Sequence, residues 1–316
     1  MPTNQLATFR EPWDSEATAN WPVTEPLALM SNLAYLPPHS VNGAFALLGF
    51  IKTQSFAWGS MVAYMVSGED VVAVAFRGTD DIPDWFVNLN ILSKETPHGS
   101  IHEGFAETYD QIAKNLADAV KNSGAKHVWI TGHSLGGALA LVCSYDFLEV
   151  KHLPVTGLIT FGQPMVAKAN LARYLEQKLL GKYAHLVNGA DIVTRVPPSY
   201  AHCGSLVWFS DGKVYRSRQK RPNFGTRSLM EHDLPESDEL RPLTEAEFEM
   251  QQRLVKVHRD RMMVQLDSTM QVDGALNVLG NLPFLDDHKM DHYVNKVRKY
   301  ILNKHAGTPA SFGNGP

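Results

Sequence analysis

Cysteine is nearly absent from this chain: among 316 residues there are two, Cys143 and Cys203. A small fold stapled by disulfides is therefore excluded, and since nothing local demands that the two thiols pair, free buried thiols are expected. No uninterrupted apolar run reaches transmembrane length. Met1 to Asn20 has no basic segment leading into an apolar one; it is polar and carries Glu11, Asp14 and Glu16. No secretory leader is expected, which fits a cytoplasmic protein or one exported without a recognisable signal peptide. Internal repeats are missing, and neither sign of charge dominates. The 29 basic and 33 acidic residues leave a net charge of −4, which gives no electrostatic reason for nucleic acid or an anionic membrane as partner. What remains is a chain 44% hydrophobic and 20% charged, the balance of a globule with a sizeable core.

One stretch organises the rest. Val128-Trp129-Ile130-Thr131 runs into Gly132-His133-Ser134-Leu135-Gly136-Gly137, and Ala138-Leu139-Ala140-Leu141 follows. An apolar, β-branched run, then G-x-S-x-G, then a helical pattern predicts a sharp strand-to-helix turn with Ser134 at its apex, a nucleophile elbow. Small residues at 132, 136 and 137 suit a strained serine backbone and tight helix packing. The helix N-terminus behind the serine offers free N–H groups to a developing negative charge.

Along the chain, helical spacing is read over Glu25 to Leu36, and strand-like runs over Phe56–Ser67 and Val71–Phe76, an antiparallel pair. Ile82, Trp85, Phe86, Leu89 and Leu92 recur at helical spacing after Asp81, which makes a short surface helix with one greasy side. Gly104 to Val120 reads as a core helix, Val155–Phe161 as a strand, Met165–Leu180 as a helix and Tyr183–Val187 as a strand. Such alternation predicts an α/β fold: a mostly parallel central sheet with helices on both faces. Ser205–Ser210 and Lys213–Ser217, split by Asp211-Gly212, predict an edge hairpin. Residues 218 to 285 lack strands and carry too thin an apolar stripe for a private core, so they read as a helical insertion or cap before the C-terminal helix. The whole of 1–316 is thus read as a single domain, with the greasy segment at about 80–97.

A serine hydroxyl attacks only when a base takes its proton, and the base needs an acid to fix its tautomer. Asp191 fits the acid, on the loop that leaves the Tyr183 strand at its carboxyl end, where open α/β sheets place ligands. Two histidines compete as base in Asp287-His288-Lys289-Met290-Asp291-His292-Tyr293. The stripe Met290, Tyr293, Val294, Val297 and Ile301 puts His292 nearly opposite the buried face. His288 lies at or before the first turn, where a loop side chain can be aimed at the serine, and is favoured, with His292 in reserve. An i,i+4 histidine pair can also hold zinc, but no third ligand converges and no metal is expected. His102, His133, His152, His185 and His202 read as structural. An acyl-transfer site needs oxyanion donors as well: the Leu135 N–H after the nucleophile, and Thr79 after the Phe76 strand end.

Phe76-Arg77-Gly78-Thr79, Asp84-Trp85 with Asn88-Leu89, His102-Glu103-Gly104-Phe105, Gly132 to Gly137, Thr160-Phe161-Gly162-Gln163-Pro164, and Asp191-Ile192-Val193 with Pro197-Pro198 together resemble the class 3 lipases, the fungal-type triacylglycerol lipase family. The resemblance covers about residues 45 to 215 plus Asp287-His288. It implies an α/β-hydrolase fold and carboxylester hydrolysis through an acyl-enzyme, with Ser134, Asp191 and a C-terminal histidine as triad and Thr79 and Leu135 as oxyanion hole. The helix after Arg77-Gly78-Thr79 corresponds to a movable lid, so that Ile82, Trp85, Phe86 and Leu89 would meet substrate or a lipid surface. Two departures stand out: Tyr293 follows His288 by five positions where family members often have an aromatic pair soon after the histidine, and 218–285 has no placed counterpart. Phospholipase A1-type acyl hydrolysis is the alternative within enzymes, because lid and pocket set the leaving group. A catalytically silent lipase-like binding scaffold is the alternative outside them. Ester cleavage by this route calls for no cofactor.

Overall fold

The computed structural model describes residues 5–10, 21–216, 240–267 and 283–305. Parts of the expected 218–285 insertion lie outside the described residues. After a short 3-10 turn at Gln5–Phe9, the elements in order are α1 (Trp21–Leu33), α2 (Pro38–Ala46), β1 (Lys52–Trp58), β2 (Met61–Gly68), β3 (Val71–Phe76), α3 (Ile82–Asn88), β4 (Ser93–Thr96), β5 (Gly99–His102), α4 (Glu103–Ser123), β6 (His127–His133), α5 (Leu135–Glu149), β7 (Gly157–Phe161), α6 (Ala169–Lys178), β8 (Tyr183–Asn188), β9 (Ser205–Ser210), β10 (Lys213–Arg216), α7 (Glu245–Asp267) and α8 (Met290–His305). Eight strands form one sheet in the order β1-β2-β3-β6-β7-β8-β9-β10. The five strands from β3 to β9 run parallel, and the two edges are antiparallel.

Strand alternation sorts the core into two layers. Val72, Val74 and Phe76 of β3, with Val128 and Ile130 of β6, face α4 and α5. Val71, Ala73 and Ala75, with Trp129, face α1, α2 and α8. All of these side chains are buried. At about 25 cal/mol per Å² of apolar surface removed from water, such continuous burial on both faces is what favours the parallel arrangement.

Several elements depart from the sequence reading. Phe56–Ser67 is not one strand: Gly59, at φ +58°, turns the chain back and separates β1 from β2. The first helix begins at Trp21 rather than Glu25, with Pro26 inside it. Helix α6 begins at Ala169 rather than Met165, because Ala167 is used in isolated bridges to Ile101 and Ala201. The short β4–β5 hairpin and helix α2 have no sequence expectation behind them. Leu92 lies beyond the end of α3 and is 57% exposed, so it is not on the greasy side of that helix. Both cysteines are free and buried, and no described helix is long and apolar enough to cross a membrane.

Candidate active site

Strand β6 delivers Ser134 to the N-cap of α5 with φ +58° and ψ −131°, a strained backbone for a residue with a Cβ. The strain is enforced by packing that tolerates no side chain on either side. A Cβ on Gly132 would lie 2.2 Å from the Gly136 carbonyl oxygen, and one on Gly136 would lie 2.2 Å from that of Phe76. The Ser134 N–H donates to the Phe161 carbonyl at 2.9 Å, which ties the elbow to the end of β7. Leu135 is the first residue of α5, so its N–H has no partner within the helix.

Asp191 lies just past the carboxyl end of β8 and starts a 3-10 turn, its Oδ1 accepting the Val193 N–H at 3.0 Å. His288 closes a 3-10 turn, Pro283–His288, just before α8. Its Nδ1 lies 2.8 and 2.9 Å from the two Asp191 carboxylate oxygens. The Tyr293 hydroxyl donates to Asp191 Oδ2 at 2.6 Å and accepts the Asn188 N–H at 3.1 Å. Burial alone would push the Asp191 carboxyl up; the neighbouring His288, with the Tyr293 hydroxyl, outweighs it and holds the group below its ordinary value. Burial and the same carboxylate raise the Tyr293 phenol well above its own, so it remains a donor.

Gly162 lies just past β7, one residue after the carbonyl that holds Ser134. It stands at φ +56°, and a Cβ there would lie 2.8 Å from Asp191 Oδ2 and 2.9 Å from His288 Cε1. The imidazole therefore packs on the strand end that anchors the serine. Ser134 and Asp191 are fully buried, and His288 is 2% exposed. Ser134 Oγ and His288 Nε2 are buried without a hydrogen-bond partner among the described residues, so the serine–imidazole bond is not closed in this state. Catalytic hydrogen bonds are often loose without substrate and tighten once it binds.

His133, read as structural from the sequence, packs beside His288 with ring centroids 4.6 Å apart. Its Nε2–H donates to the His288 carbonyl at 2.7 Å, and its Nδ1 accepts the Tyr35 hydroxyl at 2.8 Å. Burial, then the proximity of His288, lowers its pKa to about 3, so it is a neutral imidazole. His292 is half-buried on α8, and the structure brings His288 rather than His292 to Asp191. The Thr79 hydroxyl accepts the Asp81 N–H at 3.2 Å in the turn before α3. Its neighbour Gly78 touches the elbow, where a Cβ would lie 2.7 Å from the His133 carbonyl oxygen.

Helix α3 starts at an Asp81 cap, where Oδ1 accepts the Asp84 N–H at 2.9 Å. Its Phe86 and the adjoining Leu89 are buried, while Ile82 and Trp85 are half-buried. Helix α7 covers it. The Phe248 ring meets that of Phe86 edge-on with centroids 5.7 Å apart. One amide nitrogen, Gln252 Nε2, reaches the carbonyls of Phe86, Val87 and Leu89 at 3.0, 3.1 and 3.0 Å. The chain leading into α7 is tied to the Asp191 turn, since the Leu243 N–H donates to the Arg195 carbonyl at 3.0 Å. Among the described residues no cluster of three or more metal-ligating side chains occurs.

The family described as Lipase (class 3) matches residues 73–201. A lipase of Rhizomucor miehei is 32% identical over 180 residues, 52% of this chain and 49% of that protein. A phospholipase A(1) of Arabidopsis thaliana, DAD1, chloroplastic, is 29% identical over 179 residues, 47% of this chain and 40% of that protein. The chain spans half the length or less of these relatives. Among solved structures, the Rhizomucor miehei lipase–propeptide complex superposes with a TM-score of 0.51 at 27% identity, over 61% of this chain and 69% of that one. A triacylglycerol lipase whose catalytic centre is described as a serine-protease triad gives 0.52 at 27%, over 62% of this chain and 82% of that one. By its matched segment, its sheet and the structures it superposes on, the chain has the α/β-hydrolase fold and is similar, over residues 73–201, to the class 3 lipases.

Proposed function

We propose that this chain hydrolyses carboxylic esters of lipids through an acyl-enzyme, with Ser134 as nucleophile, His288 as base and Asp191 as acid. The observation that carries the reading is the Asp191–His288 pair packed against Gly162, beside the elbow serine, with Ser134 Oγ and His288 Nε2 the two atoms left to pair with each other and with substrate. In the reaction, His288 Nε2 takes the serine proton as Oγ adds to the ester carbonyl. The imidazolium then returns that proton to the leaving alcohol, and water repeats both steps on the acyl-enzyme to release the acid. Asp191 keeps the Nδ1–H tautomer and stabilises the imidazolium. The backbone N–H groups of Leu135 and Thr79 serve the oxyanion, each such donor being worth about 10²–10³ in rate.

Helix α3 acts as the lid. In this state the triad is closed to solvent, and the half-buried Ile82 and Trp85 with buried Phe86 and Leu89 form the apolar side that an opened lid would turn to a lipid surface. The described part of 218–285 serves as a cap over that lid within a single hydrolase domain. Glycerides are the favoured substrates, as the lipase relatives suggest. The likeness to the Arabidopsis thaliana phospholipase A(1) favours phospholipid acyl hydrolysis as the second reading.

The test is a panel of chromogenic esters, glycerides and phospholipids with the wild-type chain and Ser134→Ala. The variant is expected to lose at least about 10³-fold in kcat. Retained wild-type rates would remove the hydrolase reading. A folded wild-type chain that neither turns over any ester nor reacts with a fluorophosphonate at Ser134 would restore the binding scaffold.

A further inference from the structure

The residue in front of the base is itself bonded to the residue in front of the acid. Asp287 Oδ2 accepts the Ala190 N–H at 2.9 Å. The Asn188 side-chain amide donates to the Asp287 carbonyl at 2.8 Å and makes a longer contact to Asp287 Oδ1 at 3.4 Å. Between these anchors Gly189 stands at φ +51°, and a Cβ there would lie 2.4 Å from Asp287 Oδ2. The loop 188–191 is thus stitched to the His288 turn along its length, 97 residues away in sequence.

The acid–base bond has no such rigidity of its own. His288 Nδ1 is nearly equidistant from both oxygens of Asp191, so a lateral slip of the turn trades one oxygen for the other at little cost. Nothing in that pair alone holds Nε2 on the serine side. A short acceptor-only side chain locked onto a backbone N–H of the acid loop removes this freedom.

We propose that Asp287 is a positioning residue: its carboxylate, through Ala190 and the left-handed turn at Gly189, fixes the register between the acid loop and the base. It touches no reacting atom, and the inference rests on the triad named under the proposed function. The acceptor is what matters here, rather than the charge. Asparagine can keep an oxygen on the Ala190 N–H, whereas alanine cannot.

The experiment uses the full chain with Asp287→Ala and Asp287→Asn, and Gly189→Ala as an independent way to disturb the same joint. Readouts are kcat and KM on a soluble ester, the rate of fluorophosphonate labelling, the melting midpoint and the low-field proton resonance of the His288–Asp191 bond. Asp287→Ala is expected to lose about 10- to 100-fold in kcat and in labelling rate, with KM within about twofold and the low-field resonance shifted or broadened. Asp287→Asn is expected to stay within about threefold of wild type. Full activity in Asp287→Ala, or equal losses in the alanine and asparagine variants, overturns the proposal. If Asp287→Ala does not fold, Gly189→Ala must show the same kcat loss and resonance change, and wild-type behaviour there overturns it. If the wild-type chain hydrolyses no ester, the proposed function fails. The resonance and its response to Asp287→Ala then still decide the positioning role.

Discussion

Replacing Gln252 by leucine removes a side chain that holds three carbonyls at the end of α3. The amide nitrogen has two hydrogens, so of the three contacts at 3.0, 3.1 and 3.0 Å no more than two are full hydrogen bonds at any moment. At a net worth of about 1 kcal/mol per bond, the one or two bonds formed contribute about 1–2 kcal/mol to the closed state. Its loss raises the open-to-closed ratio by about 5- to 30-fold. When the open state is scarce, turnover of a dissolved substrate scales with its population. The assay is hydrolysis of a short-chain p-nitrophenyl ester below its solubility limit. We expect kcat/KM to rise by about that factor in Gln252→Leu, with a much smaller change on emulsified long-chain ester, where the proposed lid would already be drawn open. Phe248 meets Phe86 on the same face, and its replacement by leucine acts in the same direction. Unchanged rates below the solubility limit in both variants would mean that α3 and α7 move as one body, and the latch reasoning is then wrong.

Gly162→Ala must place a Cβ 2.8–2.9 Å from Asp191 Oδ2 and His288 at a left-handed backbone position. We expect about 10²-fold or greater loss of kcat with a much smaller change in KM, read by steady-state kinetics on a soluble ester; wild-type kcat would show that the pair can shift freely. Acid should destabilise the fold earlier than carboxylate protonation alone. His133 is neutral when buried, with a pKa of about 3, against about 6.5 in the unfolded chain. Below that unfolded value the unfolded state binds the extra proton, so the contribution is complete above pH about 6.5 and declines as pH falls toward the folded value. From pH 7.5 to 5.5 this histidine alone lowers the unfolding free energy by about 1 kcal/mol. Urea midpoints that stay level across that interval would refute this. Asp191, held below its ordinary value, adds a further loss only below pH about 4.

The sheet and the elbow were legible because their signals are local and periodic. Four apolar or β-branched residues before Gly132 and an alanine- and leucine-rich run after Gly137 admit one strand and one helix, and small residues at 132 and 136 are required by contacts at 2.2 Å. The strand-end position of Asp191 followed from the order of elements. His288 is favoured by its place before the first turn and His292 disfavoured by helix phase, and the 3-10 turn before α8 is what carries the His288 imidazole to Asp191 while His292 lies half-buried on α8. Other features are set by tertiary contact and leave little periodic trace. His133 looks like any buried histidine until the His288 carbonyl arrives, and Asp287 like a turn aspartate until Gly189 comes to lie on it. Helix α7 carries too thin an apolar stripe for a core of its own, and it docks on α3 instead. Its inner row of Phe248, Gln252 and Val255 faces inward with a polar residue in the middle, Phe248 and Gln252 meeting α3, while Met250, Leu254 and Val257 are exposed on the other side. A start signal for it was in the sequence all the same. Thr244 and Glu247 form a capping box, each side chain accepting the other's backbone N–H, at 3.3 and 2.8 Å.

The proposed base, His288, is carried by the turn into α8, whose Arg298 pairs with Glu25 and whose Asp291 accepts from Asn32, both on α1. Of the three groups the reaction needs, it is the last to emerge during synthesis, and the helix that seats it must find one made near the start. On the proposed triad, a nascent chain therefore carries its serine and its carboxylate through translation before the imidazole that would activate them has been made.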